Sequence, residues 1–346
     1  MDLDALLLQI LNGLDKGSAY ALIALGLTLI FGTLGVVNFA HGALFMVGAF
    51  CAVSLQKLLT ISSITLDETK TDFLGNPLKI KTPYVETWFG ETMGQGIIDW
   101  SVPLAIILAI PVMLIIGIVM ERGLIKHFYK RPHADQILVT FGLAICIGEI
   151  IKASFGATEV QVPAPDALAT VTDVGALFGV GDQVNVTYPT WRLVYFAFAV
   201  FIIAIIFAFL RFTTFGMVVR AGMADRETVG LLGIDIDKRF TIMFAIAAVV
   251  AGLAGVMYVP IKPPSYELGM QFLVISFVVV VVGGMGSLPG AVTAGFLLGI
   301  LESFASTNWA KDIIPGIDQI IIYLVAILIL LARPRGLMGR KGVMEE

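Results

Sequence analysis

Residues 35–44 read GVVNFAHGAL and join two apolar runs, 5–33 and 41–58. Glycine weakens a helix, and a buried amide or imidazole is destabilising unless a hydrogen-bond partner is found for it. Gly35, Asn38, His41 and Gly42 therefore need compensation from their surroundings. The segment is an active site, a ligand site, or the bend in a helical wall, and the rest of the chain decides which.

Hydrophobic residues make up 58% of the chain and charged residues 14%, against about 45–50% and about 25% in soluble domains. A membrane protein follows. The net charge of −4 is small and dispersed, so it leaves no electrostatic footprint for nucleic acid. Cys51 and Cys146 both fall in apolar runs and read as buried thiols, not as a disulfide or metal pair. The opening MDLDALLLQ lacks the basic region of a cleavable signal peptide, so the mature chain is expected to begin there.

Apolar runs recur near 5–33, 41–58, 102–120, 137–154, 192–211, 240–260, 271–284, 288–304 and 317–333. Most reach the roughly 20 residues that cross a bilayer core as helix. The expectation is a single all-α polytopic domain over 1–346, with eight or nine transmembrane helices, some of them broken, and a helix on the cytoplasmic side. Arg122, Lys126, Lys130 and Arg131 follow the third run, and Arg220, Arg226, Lys238 and Arg239 follow the fifth. Arg333, Arg335, Arg340 and Lys341 form the tail. Basic connections stay on the cytoplasmic side. The alternate connections, 59–101 and 155–191, carry Asp67, Glu68, Asp72, Glu86, Glu91, Asp99, Glu159, Asp166, Asp173 and Asp182 and are expected outside.

The first outer connection contains FLGNPLKIKT (73–82), whose alternation around an Asn-Pro turn signal suggests a small hairpin, with Trp88 and Trp100 at the membrane surface. Loops of this kind could dock a partner from outside. Small residues recur at helical spacing at Ala247, Ala251 and Gly255, and at Ala291, Gly295 and Gly299. Such stripes let helices approach closely in lipid and mark packing, not chemistry. The run GGMGSLPGA (283–291) breaks any helix, so it must be buried in protein, line a cavity or turn at the membrane surface.

The connection 212–239 is long and polar, yet Met217, Val218, Ala221, Ala224 and Thr228 to Leu232 give it helical spacing, and Gly233 supplies a stop. A helix beneath the membrane over 217–233 is expected. Its small-residue face suits a protein groove better than a lipid surface, where larger apolar residues and more lysine are usual.

Three blocks, GLTLIFGTLGVVNFAHGALFMVGAF (26–50), RAGMADRETVGLLGI (220–234) and VVVVVGGMGSLPGAVTAGFLLGILE (278–302), together resemble the membrane permeases of branched-chain amino-acid ABC importers of the LivH type. The resemblance implies that 212–239 is the coupling segment that inserts into a cleft of an ATPase subunit. Matched by position, Arg220, Ala221, Asp225, Arg226, Glu227, Leu231, Leu232, Gly233 and Ile234 fall in it, and Ala224 on the same small-residue face is a further coupling candidate. The segment departs from the family pattern at Gly222, Thr228, Val229 and Gly230, and the helix is expected to shorten or bend at Gly230. The resemblance further implies a second related permease of the LivM type, two ABC ATPase subunits holding ATP and Mg, an extracytoplasmic substrate-binding protein, and residence in a bacterial cytoplasmic (inner) membrane among its lipids. No phosphate-binding G-x-x-x-x-G-K-[ST] loop occurs in the chain, which agrees with a separate ATPase. No cofactor or metal is expected in this chain, and no catalytic residue.

Two rivals remain. A proton-coupled carrier needs deep carboxylates. Glu149 reads as the near neighbour of Lys152 at a helix end, Glu121 as interfacial, and Glu302 alone as a possible relay. An intramembrane hydrolase would need Ser287 beside His41. His127 and His133 read as solvated. The segment 35–44 is therefore expected to break a helix near the translocation route, with Asn38 and His41 satisfying freed backbone groups. The candidate path residues are Asn38, His41, Gly42, Gly284, Gly286 and Ser287. Branched-chain amino acids are the first substrate class, with urea or short amides as the alternative.

Overall fold

A computed structural model describes residues 3–71, 77–129, 131–177, 185–224 and 226–339, with backbone alone at 65–71, 77–80, 177, 223–224 and 226–228. The chain opens with α1 (Leu3–Leu34) and α2 (His41–Leu59). A hairpin of β1 (Ser62–Thr71) and β2 (Pro77–Pro83) and the short α3 (Tyr84–Phe89) and α4 (Glu91–Asp99) follow. Next come α5 (Ser101–Gly123) and α6 (His133–Phe155). The second outer connection holds β3 (Val171–Asp173), α7 (Val174–Leu177) and β4 (Thr187–Pro189). Then α8 (Thr190–Phe212), α9 (Thr214–Ala224), α10 (Arg226–Leu231), α11 (Ile236–Tyr258), α12 (Leu268–Gly283), α13 (Leu288–Ala305), α14 (Asn308–Ile313) and α15 (Ile317–Ala332) complete it.

Among the described residues seven helices, α1, α2, α5, α6, α8, α11 and α13, are long and apolar enough to cross a membrane, and α12 and α15 are shorter apolar helices. These nine are the nine runs of the sequence. The expected hairpin forms, with Ser62 opposite Pro83 and Ile64 opposite Lys81, although its Asn-Pro turn reaches into residues outside those described. A second two-stranded pair, Val171 opposite Pro189, lacked any signal in the sequence.

The core is built around α1, whose apolar window is almost wholly buried. It is apolar all round, which suits a helix enclosed by others. The small-residue stripes are its contacts. A Cβ at Gly13 would fall 2.6 Å from the backbone of Ile300, one at Gly17 would fall 2.9 Å from Phe296, and one at Gly295 would fall 2.7 Å from Ala21. These pairs ascend α1 while descending α13, so the two helices run antiparallel. α11 is antiparallel to α1 as well, since Gly26 meets Ala247 while Leu34 packs with Ile236 and Phe240. Without a hydrophobic driving force between helices in lipid, such close backbone approach supplies the packing that holds them. The α2 to α11 crossing uses the same device, with Gly48 on Gly252 and Gly255 on Phe45.

Polar pairs reinforce this frame. Lys16 Nζ lies 2.8 Å from Glu302 Oε1 and also donates to Ser306, while the Tyr20 hydroxyl donates to the other Glu302 oxygen. Glu302 thus pins α1 to α13 and is not the open relay carboxylate considered from sequence. Glu121, at the end of α5, is 1% exposed and accepts from the Tyr129 hydroxyl at 2.6 Å, where the turn after α5 folds over it. Cys51 is buried, but Cys146 is exposed on α6, so only one of the two thiols is enclosed.

Candidate functional site

The break at 35–41 lies inside the helical frame. α1 ends at Leu34 beside Phe240, at the end of the bundle that carries the basic connections. Yet the His41 ring stands against Gly26, where a Cβ would be 2.6 Å from His41 Nε2. Gly26 is eight residues back along α1, about 12 Å at 1.5 Å per residue. Residues 35–40 therefore fold back into the bundle, and α2 starts partway across it. Non-helical backbone at such a depth is tolerated only when enclosed by protein or lining a cavity, and Val36, Asn38, Ala40 and His41 are all buried.

The hydrogen bonds of this segment differ in part from the expectation. Asn38 does what its residue type suggests, since its Oδ1 accepts the Ala40 N–H at 3.0 Å and its carbonyl accepts the His41 N–H. The Phe39 N–H is taken by Thr140 Oγ1 of α6 at 3.1 Å. The His41 ring is turned to the Ile23 carbonyl of α1, although neither buried ring nitrogen makes a hydrogen bond of ordinary geometry, and Asn38 Nδ2 is likewise without one. Thr140 is the residue that sequence reasoning missed, for it is 101 positions away and a threonine in an apolar run has no distinguishing pattern. Gly42 packs onto Gly269 and Leu273 of α12.

The other path candidates lie elsewhere. Gly284, Gly286 and Ser287 form the turn between α12 and α13 on the basic side, and are not brought together with Asn38 and His41. Gly284 has φ 101° and Gly286 φ 81°, conformations that L side chains rarely adopt. Ser287 caps α13 by accepting the Gly290 N–H. The tail closes over this turn, with Leu337 N–H donating to Val282 and Met338 N–H to Gly283. The hydrolase pairing of Ser287 with His41 therefore has no geometry to support it.

The segment 212–239 is helical, as α9 and α10, and it starts at Thr214, three residues earlier than expected. Asp225 lies outside the described residues, and nothing is described of the side chains of Ala224, Arg226 and Glu227. Gly230 stays within α10, so the helix does not bend there. It ends at Leu231, one residue past Gly230 and short of the expected 233, and Gly233, whose φ of 76° and N–H bond to the Gly230 carbonyl turn the chain, follows the end. Its inward face holds Val219, Gly222 and Val229. Val229 packs on Ile236 and Phe240 together with Leu34. Its outward face holds Arg220, Ala221, Met217, Leu231 and Leu232, the last two being 88% and 73% exposed. Two exposed leucines side by side on a basic connection are unusual for a free surface.

A bundle of apolar helices with a segment turned back into it, and an apolar-faced helix pair along one end, defines a multi-pass α-helical membrane protein. The family described as "Branched-chain amino acid transport system / permease component" matches residues 9–330, and the chain belongs to it. The chain is 27% identical over 345 residues to the branched-chain amino acid transport permease BraD of Pseudomonas aeruginosa, covering 97% of this chain and 96% of that one. It is 25% identical over 340 residues to LivH of Salmonella typhimurium, with the same coverage. A probable LivH of Methanocaldococcus jannaschii is 25% identical over 336 residues, covering 92% and 88%. No solved structure matches the chain.

Proposed function

We propose that this chain is the membrane-spanning subunit of an ATP-driven importer of branched-chain amino acids, set in the inner membrane with its basic connections in the cytoplasm. The observation that carries this reading is the family match over residues 9–330, with relatives named for branched-chain amino acid transport along almost their whole length. ATP and Mg belong to two ATPase subunits. A second permease of the LivM type completes the membrane part, and a substrate-binding protein delivers from the acidic side.

In this reading Leu231 and Leu232, with Arg220 and Ala221, enter the ATPase cleft, and Ala224, Asp225, Arg226, Glu227 and Gly233 complete that contact. Val229 of α10 belongs to a buried cluster with Ile236 and Phe240, and Leu34, the last residue of α1, packs against that cluster. A displacement of α9 and α10 therefore reaches α1 just before the chain folds back toward Asn38 and His41. Unpartnered polar groups beside unwound backbone are how transporters receive polar substrate groups partway across the bilayer. Asn38, His41 and Gly42 line the route, and Gly284, Gly286 and Ser287 form the turn at its cytoplasmic end.

The test is uptake of radiolabelled leucine, isoleucine and valine into proteoliposomes holding both permeases and both ATPases, with the binding protein outside and ATP inside. Import that needs ATP and the binding protein is expected. Absence of import for all three, with ATP hydrolysis still stimulated by another loaded solute, would overturn the substrate class.

A further inference from the structure

A cavity of about 140 Å³ opens between α2, α6 and the start of α12, apart from every residue assigned above. Ala43 and Met46 of α2, Ala144 and Gly148 of α6, and Met270 of α12 form its apolar wall. An apolar cavity of about 150 Å³ holds a benzene molecule, so this one has room for a branched aliphatic side chain.

Its rim carries both signs of charge. Glu149 and Glu267 line it, and Lys152 Nζ lies 3.5 Å from Glu149 Oε1. The same ammonium stands 4.7 Å over the Tyr266 ring, and the Tyr266 hydroxyl donates to Glu267 at 3.0 Å. These groups join α6 to the connection before α12 across the opening. The side chains of Glu149 and Lys152 are 61% and 39% exposed on an apolar helix. Ionisable groups so placed face water or a partner subunit, not lipid. The inner wall begins at Ala43, two residues beyond His41, so the cavity adjoins the folded-back segment on its acidic side.

Each part matches one part of an aliphatic amino acid. We propose that this cavity is the first membrane site for the transported amino acid, holding its side chain between Met46, Gly148 and Met270, its ammonium at Glu149 and Glu267, and its carboxylate at Lys152. This rests on the function proposed above and names the residues that would set side-chain size.

A Cβ at Gly148 would meet only the Tyr266 carbonyl, at 3.6 Å, so Gly148→Ala narrows the cavity without a backbone clash. Met270→Ala widens it. The reconstituted complex is assayed for leucine and valine uptake, with assembly checked by co-purification. Gly148→Ala is expected to lower the leucine-to-valine ratio and Met270→Ala to raise it, each by about tenfold, the discrimination that one methylene supplies in a fitted pocket. Ratios equal to wild type in both variants, or uptake of both amino acids falling in parallel, would overturn the site. If Gly148→Ala failed to assemble, the ratio in Met270→Ala would decide. A wild-type complex that imported neither amino acid would overturn the proposed function and the site with it, whereas normal wild-type import with unmoved ratios would overturn the site alone.

Discussion

His41 and Gly26 are in contact across the break between α1 and α2: a Cβ at Gly26 would come within 2.6 Å of His41 Nε2 and 3.1 Å of the Ala247 carbonyl. The absence of a side chain at Gly26 is what lets the chain fold back to this depth. Gly26→Ala is expected to destabilise the protein by about 1–3 kcal/mol, the usual cost of overpacking. His41→Ala removes a ring that makes no hydrogen bond of ordinary geometry, so its cost is expected to be smaller. The double variant should recover at least half of the Gly26→Ala loss, because the colliding ring is gone. Thermal unfolding of the detergent-solubilised proteins measures this, and strictly additive losses would sink the packing account.

Glu302 joins α1 to α13 through Lys16 and Tyr20. Lys16→Met would leave a carboxylate that is only 16% exposed without its cation. The expected loss is about 1–3 kcal/mol, less than for a sealed pair because Lys16 keeps some solvent contact. Glu302→Gln should destabilise less and leave import per folded molecule unchanged. A Glu302→Gln protein of full stability that imported nothing would instead restore the proton-relay role.

The two faces of α10 should separate in mutagenesis. Leu231→Asp acts on the outward face and is expected to weaken ATPase co-purification by about 2 kcal/mol, the scale of an interface anchor, with no change in thermal stability. Val229→Ala acts on the inward face and should lower stability by about 1–2 kcal/mol. Normal ATPase recruitment by the Leu231→Asp protein would contradict the coupling role.

Orientation is testable with single thiols. Cys146 is exposed and is first replaced by serine, while the buried Cys51 is kept. Trp88, 75% exposed, and Leu231, 88% exposed, are then replaced by cysteine in turn. An impermeant maleimide should label the Trp88→Cys protein in intact cells and the Leu231→Cys protein only after permeabilisation. The reverse pattern would invert the topology.

Asp235 caps α11 by accepting the Lys238 N–H, and its carboxylate pairs with the Lys238 ammonium at 2.9 Å. The Lys238 side chain first, and its backbone N–H second, hold this carboxyl below its ordinary 3.8. The folded value lies below the unfolded one, so the carboxylate stabilises the fold above 3.8, and that contribution is lost as pH falls through the lower folded value. Asp235→Asn keeps a capping oxygen and removes the titration. Its melting temperature should therefore fall less steeply than that of wild type below about pH 4. Equal slopes would show that the pairing is not felt.

The apolar helices, a hairpin around 73–82, the turn at Gly233 and the break within 35–44 were legible in the order of residues. Each depends on neighbours within a few positions: a run long enough to cross lipid, an alternation, or a glycine where the backbone must turn. The stripes at 247–255 and 291–299 were legible as contacts too, because small residues four apart can only serve close approach.

What those contacts touch was not legible. The partner of the Phe39 N–H is Thr140, the partner of Glu302 is Lys16, and the wall opposite His41 is Gly26. Each of these relationships crosses between helices. In an apolar bundle every helix offers similar surfaces, so the sequence by itself determined which segments cross the membrane and where they break. Only the packing of α1 against α11 and α13, set by backbone approach at a few glycines, decided how deep the break lies, which polar groups are left without partners, and where a cavity remains.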